Sequence, residues 1–270
     1  MTNEISSERK KFLYNKKKKK FLILLTQIVI LISFIVLWEV LARANIIDDF
    51  ITSSPSKIMN TLIHLSSNNL LHHLYVTCIE TLVGFLLGTV LGIMIATILW
   101  WSNFIAKVSE PFLVVLNSLP KVALGPIIIV WVGAGTQAII TMALAISLIV
   151  TILEMLNGFL NTNTNMIKMA NTFNANKLQI FTKIIFPYNI STLINALKVN
   201  IGLSLVGVIS GEFLVSKAGL GYLIVYGGQV FKLDLVMTSV IILALVATAM
   251  YQSIVLLEKV IMKFIMHKTT

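Results

Sequence analysis

Six apolar segments, at about 21–42, 77–101, 112–132, 137–158, 190–213 and 235–262, dominate this sequence. Each approaches the roughly 20 residues that a helix needs to cross a bilayer. In hydrocarbon the backbone must satisfy its own hydrogen bonds, which a helix does within one segment. The expectation is an all-α integral membrane protein with six transmembrane helices. Composition agrees, because 57% hydrophobic residues, 12% charged residues and a mean hydropathy of +0.91 leave too little polar surface to coat a soluble globule.

Six spans put both termini on one side, and the basic residues choose which. Arg9, Lys10, Lys11 and Lys16 to Lys20 place eight positive charges in the first twenty residues. With that tail inside, Lys107, Lys168, Lys177, Lys183, Lys259, Lys263 and Lys268 also fall inside. Only Arg43, Lys57, Lys217 and Lys232 fall outside, while Lys121 and Lys198 lie within or at the edge of spans. The positive-inside rule then makes the N- and C-termini cytoplasmic. The expected order is a basic cytoplasmic tail (1–20), a first transmembrane helix (21–42), an extracellular segment (43–76), five further helices (77–262) with a cytoplasmic loop at 159–189, and a second tail (263–270). The net charge of +10 is largely a property of the first tail, and no aromatic-interleaved basic groove follows it, so nucleic acid is not an expected partner. The apolar run from Phe21 to Val40 exceeds a secretory signal's apolar core and "ARANIIDD" is a poor cleavage site, so the first helix reads as uncleaved.

Chemistry-bearing residues are few. Cys78 is the single cysteine and excludes an internal disulfide framework. His72 and His73 would point about 100° apart on a helix, poor geometry for sharing a metal, and no metal site is expected. In the extracellular segment, "TSSPS" precedes a candidate helix at Lys57–Leu65 that is too short and polar to span. Gly84, Gly88 and Gly92 share one face of the second span, and Gly207 and Gly211 repeat the device in the fifth. Both sets invite close helix packing, within the subunit or across a dimer seam. Pro120 and Pro126 interrupt the third span, whose helix can instead begin near Lys121 with 104–118 lying along the cytoplasmic interface.

The loop at 159–189 contains no acid. Met166, Met169, Ala170 and Phe173 recur at helical spacing, as do Leu178, Phe181, Ile184 and Ile185, which predicts two short amphipathic helices. Asn174 in "NAN" supplies a left-handed turn between them, and Pro187 ends the second helix or opens the fifth span. Such an elbow suits docking into a groove of another protein, or packs only on its own bundle.

These residues resemble a known pattern. Permease subunits of binding-protein-dependent ABC importers carry E-A-A, three residues, G, nine residues, then I-x-L-P, and "KMA", "NTF", Asn174, Ala175 to Lys183 and "IIFP" fall in that register. "LWEVLARANI", "SPSKI", "LPKVALGPIIIVWVGAG" and "GEFLVSKAGLGYLI" are similar to the nitrate, sulfonate and taurine branch, whose relatives also carry vitamin precursors. The resemblance implies a type-1 ABC importer permease fold and a homodimeric or pseudo-dimeric transmembrane pair in the cell membrane. It also implies a cytoplasmic ABC ATPase dimer that binds ATP and Mg, and an extracellular solute-binding protein. It assigns ATPase coupling to Lys168, Met169, Ala170, Asn174, Ile184, Phe186 and Pro187, with Lys168 standing where the family has glutamate. Independently, none of the 14 glycines is followed by lysine, so the G-x-x-x-x-G-K-[ST] phosphate cradle is absent and a non-catalytic subunit without its own cofactor is expected.

For a solute pathway, charged residues near or within spans are candidates. Glu39, Glu80, Glu154 and Glu212 are among them, and the last three also suit ordinary positions at span ends. Lys121 beside Pro120 and the turn bearing Gly219 and Gly221 complete the set. The rival readings are a transporter driven by an ion gradient, which needs an ionisable group buried mid-span, and a membrane scaffold that transports nothing.

Overall fold

A computed structural model describes residues 7–66 and 69–268. Residues 1–6 and 269–270 of the tails, 67–68 of the first connection, and the side chains of Arg9, Lys10, Lys11 and Lys268 lie outside the described residues.

Among the described residues, five helices are long and apolar enough to cross a membrane: α1 (Ser7–Arg43), α4 (Leu70–Trp101), α7 (Thr136–Leu160), α11 (Ile190–Val215) and α13 (Leu233–Lys268). The expected third span is not one helix from 112 to 132. In its place stand α5 (Asn103–Ser118), a 3₁₀ turn at Lys121–Leu124 and α6 (Gly125–Val132), bent by 85°. The cause is Pro120, because a residue before proline is pushed out of helical geometry and Leu119 accordingly sits at ψ 140. The Lys121 ammonium crosses the break and donates to the Asn117 backbone carbonyl at 3.0 Å and its side-chain oxygen at 3.1 Å. One carbonyl at the end of α5 thereby regains a partner.

The first connection holds α2 (Asp49–Thr52) and α3 (Pro55–Ser66), and α4 starts seven residues before the expected span. A helix also occupies the last connection, α12 (Leu220–Gln229), which packs on α13 and α11. Ser53 Oγ donates to Asp234 Oδ1 at 2.8 Å, tying this side of the first connection to the start of α13. Within the membrane region, Lys198 on α11 pairs with Glu258 on α13 at 2.7 Å, which gives a basic residue at a span its counter-ion.

The core is a three-helix stack with α7 in the middle. Its small residues Ala143, Ser147 and Thr151 face Gly84, Gly88 and Gly92 of α4, where an added Cβ would overlap each of them. On the other side, a Cβ on Gly207 would come within 2.5 Å of the Ala143 Cα, and one on Gly211 within 2.9 Å of the Ile139 Cα. These glycines let both neighbouring backbones close on α7, inside the subunit. Ser147 and Thr151 satisfy their hydroxyls by bonding carbonyls one turn back at 2.9 Å each. Asn200 of α11 also donates to Thr151, adding a polar tie between apolar helices. By contrast, the apolar stretch of α1 is unburied, and this helix packs on α2 and α3.

Candidate functional site: an elbow and a buried lock at opposite ends of the core

The elbow between α7 and α11 is built from backbone satisfaction. Helix α8 (Thr164–Thr172) opens with Asn163, whose side chain accepts the Asn165 N–H at 2.9 Å, and ends in a Schellman motif. Asn174 is left-handed at φ 57, Ala175 N–H donates to Ala170 O at 3.1 Å, and Asn174 N–H donates to Asn171 O at 3.0 Å. Two residues later Asn176 starts α9 (Lys177–Ile180) with a capping box: Gln179 N–H donates to Asn176 Oδ1 at 2.8 Å, and Asn176 N–H donates to Gln179 Oε1 at 2.9 Å. In "NAN" the first asparagine closes one helix and the second opens the next.

The second arm is irregular where proline requires it. A π segment at Phe181–Ile185 leads into α10 (Phe186–Tyr188), and the Phe186 N–H reaches back five residues to Phe181 O. Pro187 has no N–H to continue an α-helical ladder, so the wider turn absorbs the mismatch. Asn189 is 3% exposed and fastens the arm by donating to Thr162 Oγ1 at 2.8 Å and Ile185 O at 2.9 Å. Lys177 fastens it on the other side by donating to Trp101 O, with its ammonium over the Trp100 and Trp101 rings at 5.5 and 5.7 Å.

This frame divides the sequence-derived coupling residues into two groups. Ala170 is buried and Ile184 and Phe186 are half-buried, all against a core cluster that includes Met155, Phe159 and Ile185. Lys168, Met169, Asn174 and Pro187 are exposed. Beside them stand Met166, Phe173 and Leu178, so that the elbow carries an apolar face with Phe173 79% and Leu178 58% exposed.

At the other end of the stack, the carboxyl of Glu212, 1% exposed, locks three elements together. Thr77 Oγ1 on α4 donates to Glu212 Oε1 at 2.6 Å and accepts the Leu220 N–H at 2.8 Å. Gly221 N–H donates to Glu212 Oε2 at 2.5 Å. The acid thus sits at the N-terminus of α12, where unpaired N–H groups favour negative charge. A Cβ on Gly219, whose φ is +110, or on Gly221 would collide with this carboxyl, so both glycines are required by the close approach. Gly219 N–H also donates to His73 Nδ1 at 3.0 Å, and the His73 ring stacks on Tyr222 with centroids 5.9 Å apart. Lys121 lies away from this lock, at the bend between α5 and α6. Among the described residues no cluster of three or more His, Cys, Asp or Glu could hold a metal.

A bundle of membrane-length helices around a small-residue seam, with a bent helix pair and a helical elbow, defines a polytopic membrane protein. Residues 88–266, two thirds of the chain, match the family described as "Binding-protein-dependent transport system inner membrane component", and the chain belongs to that family. It is 27% identical to a probable ABC transporter permease protein of Haemophilus influenzae over 231 residues, covering 86% of this chain and 94% of that one. It is 27% identical to the formylaminopyrimidine transport permease protein ThiX of Halalkalibacterium halodurans over 191 residues, covering 71% and 76%. The putative aliphatic sulfonates transport permease protein SsuC of Bacillus subtilis is 24% identical over 231 residues, covering 85% and 84%. Among solved structures, a chain of the MetNI methionine ABC transporter in an inward-facing conformation aligns with a TM-score of 0.64 at 18% identity, covering 71% of this chain and 95% of its own length. The protein is therefore a multi-pass permease subunit of an ABC importer in the plasma membrane, from a family of non-catalytic subunits.

Proposed function

We propose that two copies of this chain form the solute pathway of an importer and that each couples to a separate cytoplasmic ATPase through the elbow at 159–189. The observation that carries this reading is the exposed apolar face of Met166, Met169, Phe173 and Leu178, presented on a frame whose shape is set by its own caps. Soluble surfaces rarely leave such a cluster uncovered unless a partner covers it. The charge distribution supports placing the elbow and both termini in the cytosol. The lock at Glu212 then faces outward, where an extracellular binding protein delivers solute.

ATP and Mg belong to the partner ATPase in this scheme. Closure of the ATPase pair brings two elbows together and biases the spans toward outward opening, and release reverses the bias. The elbow supplies linkage and no chemistry, since a ligand shifts a conformational equilibrium only by binding the two states differently. Exposed Lys168 implies that the ATPase cleft offers an acid or a neutral surface opposite it. The names of the relatives support a small polar solute: a formylaminopyrimidine, an aliphatic sulfonate, taurine or riboflavin.

Phe173→Asp tests the assignment. It is expected to abolish co-purification of the ATPase and ATP-driven uptake in vesicles while leaving the permease folded. Co-purification and ATP-driven uptake that both survive Phe173→Asp overturn the coupling role of the elbow.

A further inference from the structure

A cavity of about 450 Å³ opens beside the Glu212 lock, lined by Glu80 of α4, Gly135 and Thr136 at the start of α7, and Ser216 and Lys217 after α11. Its volume lies within the roughly 300–1,000 Å³ of small-molecule sites. Glu80 is 3% exposed, lies beside the Thr136 hydroxyl and the Glu212 carboxyl, and has an Oε2 that no group among the described residues bonds. A buried carboxyl oxygen left without a donor is costly and demands a reason. The neighbouring acid does not need a ligand, because Thr77 and Gly221 already occupy its oxygens. At the rim the exposed Lys217 makes no ion pair among the described residues.

We propose that this cavity is a solute subsite that takes a small molecule with an amino-type nitrogen donor at one end and an acceptor or anionic group at the other. The donor meets Glu80 Oε2 at the base, and the acceptor end faces Lys217. A simple oxyanion such as nitrate or an alkanesulfonate satisfies only the rim and brings negative charge toward two carboxyl groups, so the subsite rejects it. This assignment rests on the importer reading, which places the cavity at the face where solute arrives. Among the solutes named for the relatives, it favours taurine and aminopyrimidines over alkanesulfonates.

The decisive comparison is taurine against ethanesulfonate, which differ only in the amine. Saturation-transfer NMR is run on the full chain in nanodiscs of phosphatidylglycerol and phosphatidylcholine, which carry no primary amine. Taurine and 4-aminopyrimidine are expected to contact the protein and ethanesulfonate is not. Glu80→Gln should weaken both binders by roughly tenfold or more, whereas Lys217→Ala should weaken anionic taurine more than 4-aminopyrimidine, whose ring nitrogen is a neutral acceptor. Equal binding of ethanesulfonate and taurine to the unaltered protein overturns the proposal, as does unchanged taurine affinity in a Glu80→Gln protein of normal Tm. Repetition in phosphatidylethanolamine discs separates solute from lipid headgroup: taurine contacts that persist support the subsite, and contacts that vanish assign the cavity to lipid and overturn it. ATPase co-purification, measured on the same preparation without solute, reports the importer reading separately.

Discussion

Asn174 holds a left-handed turn with a side chain other than glycine, and Gly207 holds its place because it has no side chain at all. The two positions make opposite demands. Asn174→Gly keeps the turn and is expected to transport normally, while Asn174→Val forces a β-branched residue to φ 57 and is expected to lose most uptake in the vesicle assay. At Gly207 a single methyl meets the Ala143 backbone at 2.5 Å, and backbone cannot swing aside. Gly207→Ala should destabilise the bundle by about 1–3 kcal/mol, read as a lower Tm in detergent. Gly202→Ala, one and a half turns earlier on the same helix with nothing within 4 Å of the added Cβ, should keep or slightly raise Tm.

Asn189 ties the two ends of the elbow together, donating to the Thr162 hydroxyl just past α7 and to the Ile185 carbonyl. Asn189→Ala removes both donors and costs about 1–3 kcal/mol, but the loss is local. Amide exchange should therefore rise across 164–186 with protection of α4 and α7 retained. Much of this element was legible in the sequence. Apolar periodicity found both arms, and the tolerance of asparagine for left-handed geometry located the turn at Asn174. The capping role of Asn176 was also within reach, since Gln179 follows it by three residues. The π segment was not, because it reflects a compromise between Pro187 and the anchoring of Asn189 beneath α7. Likewise the apolar spacing predicts one face per arm, whereas the fold sends Ala170 and Ile185 inward and leaves Phe173 and Leu178 outside. Pro120 marked the break between α5 and α6, but no sequence pattern prints a bend of 85°. The Glu212 lock stayed hidden for a different reason: Thr77 and Gly221 lie 135 and 9 residues from Glu212, and only packing unites them. Glu80 looked like any acid near a span end until burial left its oxygen unbonded.

Across the whole molecule, orientation is the property that charge alone argues. In a Cys78→Ala background, Lys183→Cys on the elbow and Lys232→Cys before α13 should label with a membrane-impermeant maleimide from opposite faces, the first from the cytosol and the second from outside. Labelling of both from one face contradicts the six-crossing arrangement. The order of helices in the stack needs no such test to have a mechanical meaning. Helix α11 (Ile190–Val215) begins where the elbow ends and carries Glu212 in its last turn, about 33 Å along the axis from Ile190. Glycines bring it close to α7 near both ends, at Gly158 against Thr192 and at Gly207 and Gly211 against Ala143 and Ile139. In the proposed cycle, a push on the elbow would reach the Glu212 end through this one rod, with no chain of side-chain switches between. Substitutions midway along it should change how far the outer end swings, and not whether the message is sent.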